Sequence, residues 1–193
     1  MNSKPVGVLL AAGQSSRFGT NKLLHPLIDN TPMLLLSAEK LATVLPDSVV
    51  VINRELADLS SQLEQLGLHV VVNEQAEQGM GSSIACAIRA SESINPDAGG
   101  WLILLADMPY IETRTIQQLL RQLEQGAAMV APVYRQQRGH PVGFNQRYKN
   151  ELLALNRDTG ARDILKKYKR HLRLLPVEDD GILIDIDRPA DIR

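Results

Sequence analysis

The residues Ala11, Ala12 and Gly13 end an apolar run, and Gln14-Ser15-Ser16-Arg17-Phe18-Gly19-Thr20-Asn21-Lys22 follows. Small residues at Ala11, Ala12 and Gly13 let a ligand come close to the backbone, and Ser15 and Ser16 offer hydroxyls. Arg17 can clamp two phosphate oxygens through its planar fork, while Lys22 supplies a point charge. Together they suit a polyphosphate. From Gly13 to Thr31 there is no apolar periodicity, and connections of that length inside a compact domain are usually functional or disordered. A solvated surface loop is the plain alternative. Two familiar phosphate loops are excluded by spacing. A Walker loop needs a Lys directly after its second glycine, which Gly13, Gly19 and Lys22 do not provide, and the strand end lacks Gly-x-Gly-x-x-Gly.

Two acidic positions come next. Asp107-Met108-Pro109 directly follows the apolar run 101–106, so Asp107 is expected at the carboxyl end of a buried strand, where open parallel sheets gather ligands. An acid capping the following helix is the alternative. In 182–187 the alternation of a strand puts Leu183, Asp185 and Asp187 on one side and the isoleucines on the other. Mg²⁺ takes one or two protein carboxylates together with phosphate oxygens and waters, so Asp107 with Asp187 would make a seat for it, with Asp185 in reserve. Solvated edge acids would look the same.

Weaker signals remain. Gly79 and Ser82 belong to Gln78-Gly79-Met80-Gly81-Ser82-Ser83, which precedes a small-residue helix and offers donors for a base edge or an anion. His140 in Arg138-Gly139-His140-Pro141-Val142 and Arg162 in Asp158-Thr159-Gly160-Ala161-Arg162-Asp163 are candidate contacts to a second substrate. His25, His69, His140 and His171 lack metal-ligand spacing, and neither a serine nor the cysteine sits in a nucleophile motif, which argues against zinc and covalent chemistry.

The elements that must position these residues follow the pattern of an α/β protein. Short apolar runs at 6–10, 48–52, 69–72, 101–106, 129–134, 172–177 and 182–186 alternate with helix-period segments, as crossover connections in a largely parallel sheet require. One helix is expected from Thr31-Pro32 to about Leu45. A second carries Leu56, Leu59, Leu63 and Leu66 and stops at Gly67, and a third carries Ile116, Leu119, Leu120 and Leu123 and stops at Gly126. Asp180-Gly181 between the last two runs signals a C-terminal hairpin, its acids serving only the turn. The chain has 193 residues, 44% of them hydrophobic and 22% charged, and no repeat or linker divides it, so one domain over 1–193 is expected. A formal net charge of −1 gives no reason to expect nucleic acid or a membrane surface as partner. The apolar runs are far shorter than a membrane span. The opening only faintly imitates a secretory signal, and the single Cys86 cannot pair internally, so a cytoplasmic location is expected.

The ordered set Leu10-Ala11-Ala12-Gly13-x-Ser15-x-Arg17-x-Gly19-x-x-Lys22, Asp107-Met108-Pro109 and Ile186-Asp187-x-Pro189-x-Asp191 resembles the molybdenum cofactor nucleotidyltransferase family. It is most similar to the molybdopterin cytidylyltransferase branch, and the resemblance spans nearly the whole chain. It implies a Rossmann-like α/β fold with helices on both faces and Mg²⁺ dependence. It also implies transfer of a nucleoside monophosphate to the terminal phosphate of molybdopterin, with release of pyrophosphate. The related guanylyltransferases usually read Leu-Ala-Gly-Gly at the first motif, whereas Ala12 holds the third place here, so CMP from CTP is the expected transfer. Gly139-His140-Pro141 and Thr159-Gly160-Ala161-Arg162 also look like the cytidylyl branch, while Phe18 stands where methionine is common.

Carried onto these positions, the resemblance gives Arg17, Lys22 and Asp107 catalytic roles. Leu10 to Gly13, Arg17, Lys22, Gly79, Ser82 and Asp107 would hold the nucleotide, Asp107 and Asp187 the metal, and His140 and Arg162 the acceptor. CTP, molybdopterin and a transient contact with a molybdoenzyme or its chaperone are the implied partners. Transfer to a sugar phosphate or other phosphorylated acceptor stays open, as does a noncatalytic cofactor carrier.

Overall fold

The computed structural model describes residues 3–13, 21–156 and 158–193. Its strands are β1 (Val6–Ala11), β2 (Val49–Ile52), β3 (His69–Val72), β4 (Gly100–Leu105), β5 (Met129–Tyr134), β6 (Gln137–Arg138), β7 (Val142–Asn145) and β8 (Leu172–Pro176). Its α-helices are α1 (Met33–Val44), α2 (Ser60–Gln65), α3 (Met80–Ile94), α4 (Thr113–Glu124), α5 (Lys149–Leu153) and α6 (Arg162–Lys167). The strands form one mixed sheet in the order β3-β2-β1-β4-β7-β5-β6, with β8 beside β5. β3, β2, β1 and β4 are parallel neighbours, and β7 runs antiparallel between β4 and β5.

A strand buried on both faces must be apolar at every position, and β1 is. Its Leu9 and Ala11 pack on one side with α1, α2 and α4, through residues such as Leu34, Leu41, Leu63, Ile116 and Leu119. Its Val6, Val8 and Leu10 pack on the other with Ile84 and Ile88 of α3, Leu152 of α5 and Ile164 and Leu165 of α6. Helices therefore cover both faces, and the carboxyl ends of β1 and β4 stay open between them. Among the described residues no helix is long and apolar enough to cross a membrane.

The expected C-terminal hairpin does not form. β8 instead pairs in parallel with β5, from Met129 opposite Leu172 to Val133 opposite Pro176, and Asp180–Leu183 is a turn of 3-10 helix. The cause is Asp179, which is 2% exposed and is far more than a turn acid. Its carboxylate accepts from Glu112 N (2.9 Å), the Thr115 hydroxyl (2.6 Å) and Gly181 N (3.0 Å), so the turn is tied to the start of α4 and not folded back on β8. Ile182 and Ile186 are still fully buried, which keeps the inward alternation without a hydrogen-bonded ladder. β7 was not anticipated either: it is short and interrupted by Gly143, which weakens any strand signal.

Candidate active site

The carboxyl ends of β1 and β4 are laced together where the chain leaves the sheet. Ala106 N donates to Leu10 O at 3.0 Å, and the buried Ser37 hydroxyl of α1 donates to Ala106 O at 2.9 Å. Asp107 follows directly, and its own carbonyl accepts from Ile186 N at 2.9 Å, bringing the last segment of the fold onto the loop after β4. Lys40 of α1 adds two more ties, donating to Pro109 O and, at 2.9 Å, to Ile111 O. Asp107 is thus held from α1, β1 and the 182–187 segment together.

Lys22 sits between two carboxylates. Its Nζ donates to Asp107 Oδ2 and to Asp187 Oδ1, each at 2.8 Å. The Lys22 side chain is 12% exposed, that of Asp107 25% and that of Asp187 40%. Burial alone would pull the Lys22 pKa down, but Asp107 and Asp187 outweigh it and leave the ammonium raised above its ordinary value. Burial pushes Asp107 upward, Lys22 offsets this in part, and the nearby Asp185 adds to the rise.

The triad borders a cavity of about 700 Å³ lined by Leu10 to Gly13 on one wall and by Gly79, Met80 and Ser83 on another. Asp158 reaches its rim. Gly79 has φ of +98°, and a Cβ there would lie 2.6 Å from Asp158 Cα, so both backbone conformation and contact demand glycine. Asn73, at the end of β3, holds this wall: Nδ2 donates to the Ser82 and Ser83 hydroxyls at 2.9 and 3.0 Å, and Oδ1 accepts from Gln75 N. Ser82 is buried, with the Gln75 and Gly79 carbonyls 2.8 and 2.9 Å from its hydroxyl, so it shapes the wall while Ser83 faces the cavity.

The structure therefore brings together Leu10, Ala11, Ala12, Gly13, Lys22, Gly79, Asp107 and Asp187 around one cavity. Arg17 lies outside the described residues. Arg162 begins α6 and is exposed, and neither it nor His140 is on the cavity wall. Asp185 is exposed as well. Asn73 was not revealed by the motifs, and Ser83 lay inside the motif 78–83 without being singled out as a contact. A polar residue directly after the apolar run 69–72 is the signal that could have found the first.

The donor set can be tested against a divalent ion. An ammonium and a hard cation seek the same oxygens, and two carboxylates already converge on one positive centre. No group of three or more His, Cys, Asp or Glu able to hold a metal occurs among the described residues. Two carboxylates without a protein cage fit Mg²⁺, which keeps waters and takes substrate phosphates as further ligands.

His140 carries a separate electrostatic signature. Burial, and then Arg138, depress its pKa from 6.5 to about 4, with Asp185 pulling weakly the other way. Above pH 6.5 the ring is neutral in folded and unfolded chain alike; between that value and about 4 only the unfolded chain takes up the proton, so stability falls as pH falls. His140→Gln should flatten this dependence by up to about 3 kcal/mol over the window. Denaturant melts of parent and variant at pH 7 and pH 4.5 check it, and parallel curves would refute it.

Residues 7–172 match the model of the MobA-like NTP transferase domain. The purine catabolism protein PucB of Bacillus subtilis is 31% identical over 196 aligned residues, covering 96% of this chain and 93% of that one. Among solved structures, Rv0371c of Mycobacterium tuberculosis superposes with a TM-score of 0.84 at 24% identity, covering 99% of this chain and 96% of that one. The same protein has been crystallised in complex with manganese. Molybdopterin-guanine dinucleotide biosynthesis protein A of Archaeoglobus fulgidus shares the fold at a TM-score of 0.67 and 19% identity, covering 96% of this chain and 93% of that one. A cavity of nucleotide scale at the strand ends, a lysine between two carboxylates and a match over most of the sequence converge: the chain belongs to the MobA-like NTP transferase domain family and is a nucleotidyltransferase.

Proposed function

We propose that this chain transfers CMP from CTP to the terminal phosphate of molybdopterin, with release of pyrophosphate and with Mg²⁺ held by Asp107 and Asp187. The observation that carries the reading is Lys22 Nζ, 2.8 Å from each of those carboxylates at the edge of the cavity. A noncatalytic carrier has little use for a cation-binding pair of acids at that place.

The acceptor needs no strong base, because a phosphate monoester has its second pKa near 6 and is mostly dianionic at pH 7. The barrier is repulsion between two polyanions. Lys22 meets it by exchanging carboxylate oxygens for oxygens of the triphosphate, and Arg17 adds a bidentate clamp from the same loop. Leu10 to Gly13 hold the nucleotide with backbone groups, and Gly79 with Met80 and Ser83 of the first turn of α3 forms the opposite wall. When bound, Mg²⁺ supplies neutralisation of charge on the reacting and departing phosphates. His140 and Arg162 are the acceptor-side candidates.

Ala12 is buried and belongs to the cavity lining, and a glycine in its place would leave more space there for a purine. A pyrimidine fits better beside it. Pyrophosphate release measured with each nucleoside triphosphate, with and without molybdopterin and Mg²⁺, tests the reaction. Competition between CTP and GTP at equal concentration, with the product identified by mass, tests the base. Cytidylyl product should predominate, and Ala12→Gly should shift the ratio toward guanylyl product on the order of 10-fold, the scale of one methyl group in a pocket. Mainly guanylyl product from the parent would sink the CTP assignment and leave the transferase standing.

A further inference from the structure

The segment that carries Asp187 reaches the site without a strand to guide it. After β8 the chain is tied to β5 once more, by Val177 N donating to Val133 O at 3.0 Å, and no strand follows among the described residues. The fully buried Ile182 and Ile186 hold the segment against the core. Apolar contact has no direction, so it fixes depth and leaves register open. An extended chain rises about 3.3 Å per residue, so a slip of one residue would carry Asp187 past the 2.8 Å that now separates it from Lys22 Nζ.

Register therefore depends on hydrogen bonds. Two come from the backbone: His140 N donates to Ile182 O at 3.1 Å, and Ile186 N to Asp107 O at 2.9 Å. Beyond them the segment lies antiparallel along the loop after β4, with Ile186 at Asp107, Gly181 at Tyr110 and Asp179 at Glu112. A Cβ on Gly181 would collide with Tyr110 O, so the two chains touch there at backbone distance.

Asp179 closes the far end of this contact. Its Oδ1 accepts from Gly181 N at 3.0 Å, while Oδ2 accepts from Glu112 N at 2.9 Å and from the Thr115 hydroxyl at 2.6 Å. One buried carboxylate thus grips both segments. Lys40 of α1 supplies a counter-charge: its ammonium donates to Pro109 O and Ile111 O of the same loop and interacts electrostatically with Asp179. None of Lys40, Thr115, Asp179 and Gly181 lines the cavity.

We propose that Asp179 is a positioning residue for the reaction: by holding Glu112 N and Gly181 N on one carboxylate, it sets the register of the Asp187 segment against the Asp107 loop, and with it the spacing of the two acids. This rests on the metal seat of the reading above and names what spaces it. Mg²⁺ demands near-ideal ligand geometry, so the seat is sensitive to that register. The nucleotide wall is not, because the end of β1 and the start of α3 build it without the 179–187 segment.

The two dependences separate in calorimetric CTP binding to the full chain, once in EDTA and once with saturating Mn²⁺. The gain in affinity that Mn²⁺ brings reads the seat, and the affinity in EDTA reads the wall. Asp179→Asn puts an amide donor where one backbone N–H must be accepted, and Gly181→Ala wedges the segments apart without touching the carboxylate. Each should cut the gain about 10- to 100-fold, the range for losing a partner that orients metal-binding carboxylates, and leave the affinity in EDTA at the parent's value. Thr115→Val keeps both backbone ties and should keep the gain. Thermal melts identify the variants that fold, and Gly181→Ala decides the matter should Asp179→Asn not fold. A parental gain in the folded variants overturns this inference alone. So does a gain lost as deeply in Thr115→Val, or CTP affinity falling equally with and without Mn²⁺, since either marks a merely structural role. A parent that gains nothing from Mn²⁺ overturns the metal seat and this inference together.

Discussion

Asp107→Asn and Asp187→Asn are each expected to lower turnover on the order of 10²-fold or more, the scale of losing one preorganised electrostatic contact. Asparagine keeps the size of the side chain and one acceptor oxygen, and removes the charge. Neither change should unfold the chain, because surface-accessible ion pairs contribute little to stability and the Asp187 side chain is 40% exposed. The loop after β4 also keeps its other ties from Ser37, Lys40 and Ile186. Pyrophosphate release at saturating CTP across a Mg²⁺ titration gives the readout, with thermal melts to confirm folding. Parental turnover in both variants would remove the metal seat from the mechanism. If those two were silent while Asp185→Asn was crippled, the seat would belong two residues earlier on the same segment.

Lys22→Met should be at least as damaging, on the order of 10² in turnover, and should weaken all four nucleoside triphosphates alike, since an ammonium on phosphates reads no base. It should also move the acidic limb of the pH–rate profile to higher pH. Lys22 is what restrains the upward push of burial on Asp107, so without it that carboxyl holds its proton to a higher pH. A changed nucleotide preference would instead put Lys22 at the base, and an acidic limb that stayed in place would show that Asp107 does not need its partner to ionise. Arg17→Lys belongs to the same experiment. It keeps the charge and loses the fork, so kinetics equal to the parent would remove the bidentate clamp.

Much of this site could be read from the amino acids because its parts sit at strand ends, where apolar runs stop abruptly. Asp107 after 101–106 and Lys22 in a loop without periodicity stand out for that reason, and the structure joins them with Asp187. Two strands have the bounds expected, β3 with its three valines and β5 despite Pro132 inside it, whereas the isoleucine-rich run 182–186 forms no strand. What escaped was decided by tertiary contacts. Asp179 reads as a turn residue until Glu112 N and Thr115 are beside it. Ser82 reads as a ligand contact until Asn73 claims it. β7 carries too few residues to announce itself, yet it fills the gap between β4 and β5 and turns the sheet from parallel to mixed.

The pairing of Lys22 with Asp187 joins residues 165 positions apart, while Lys22 and Asp107 are 85 apart. Closure entropy grows only as the logarithm of loop length, so the longer pairing costs just about 0.6 kcal/mol more than the shorter one. A partly folded chain holding β1 to β4 would own the nucleotide wall, the lysine and one acid, but not the second. In the metal seat proposed above, one acid comes from the loop after β4 and the other from the segment docked on it through Ile186 N and Asp107 O, so the seat would exist only where both ends of the chain are in place.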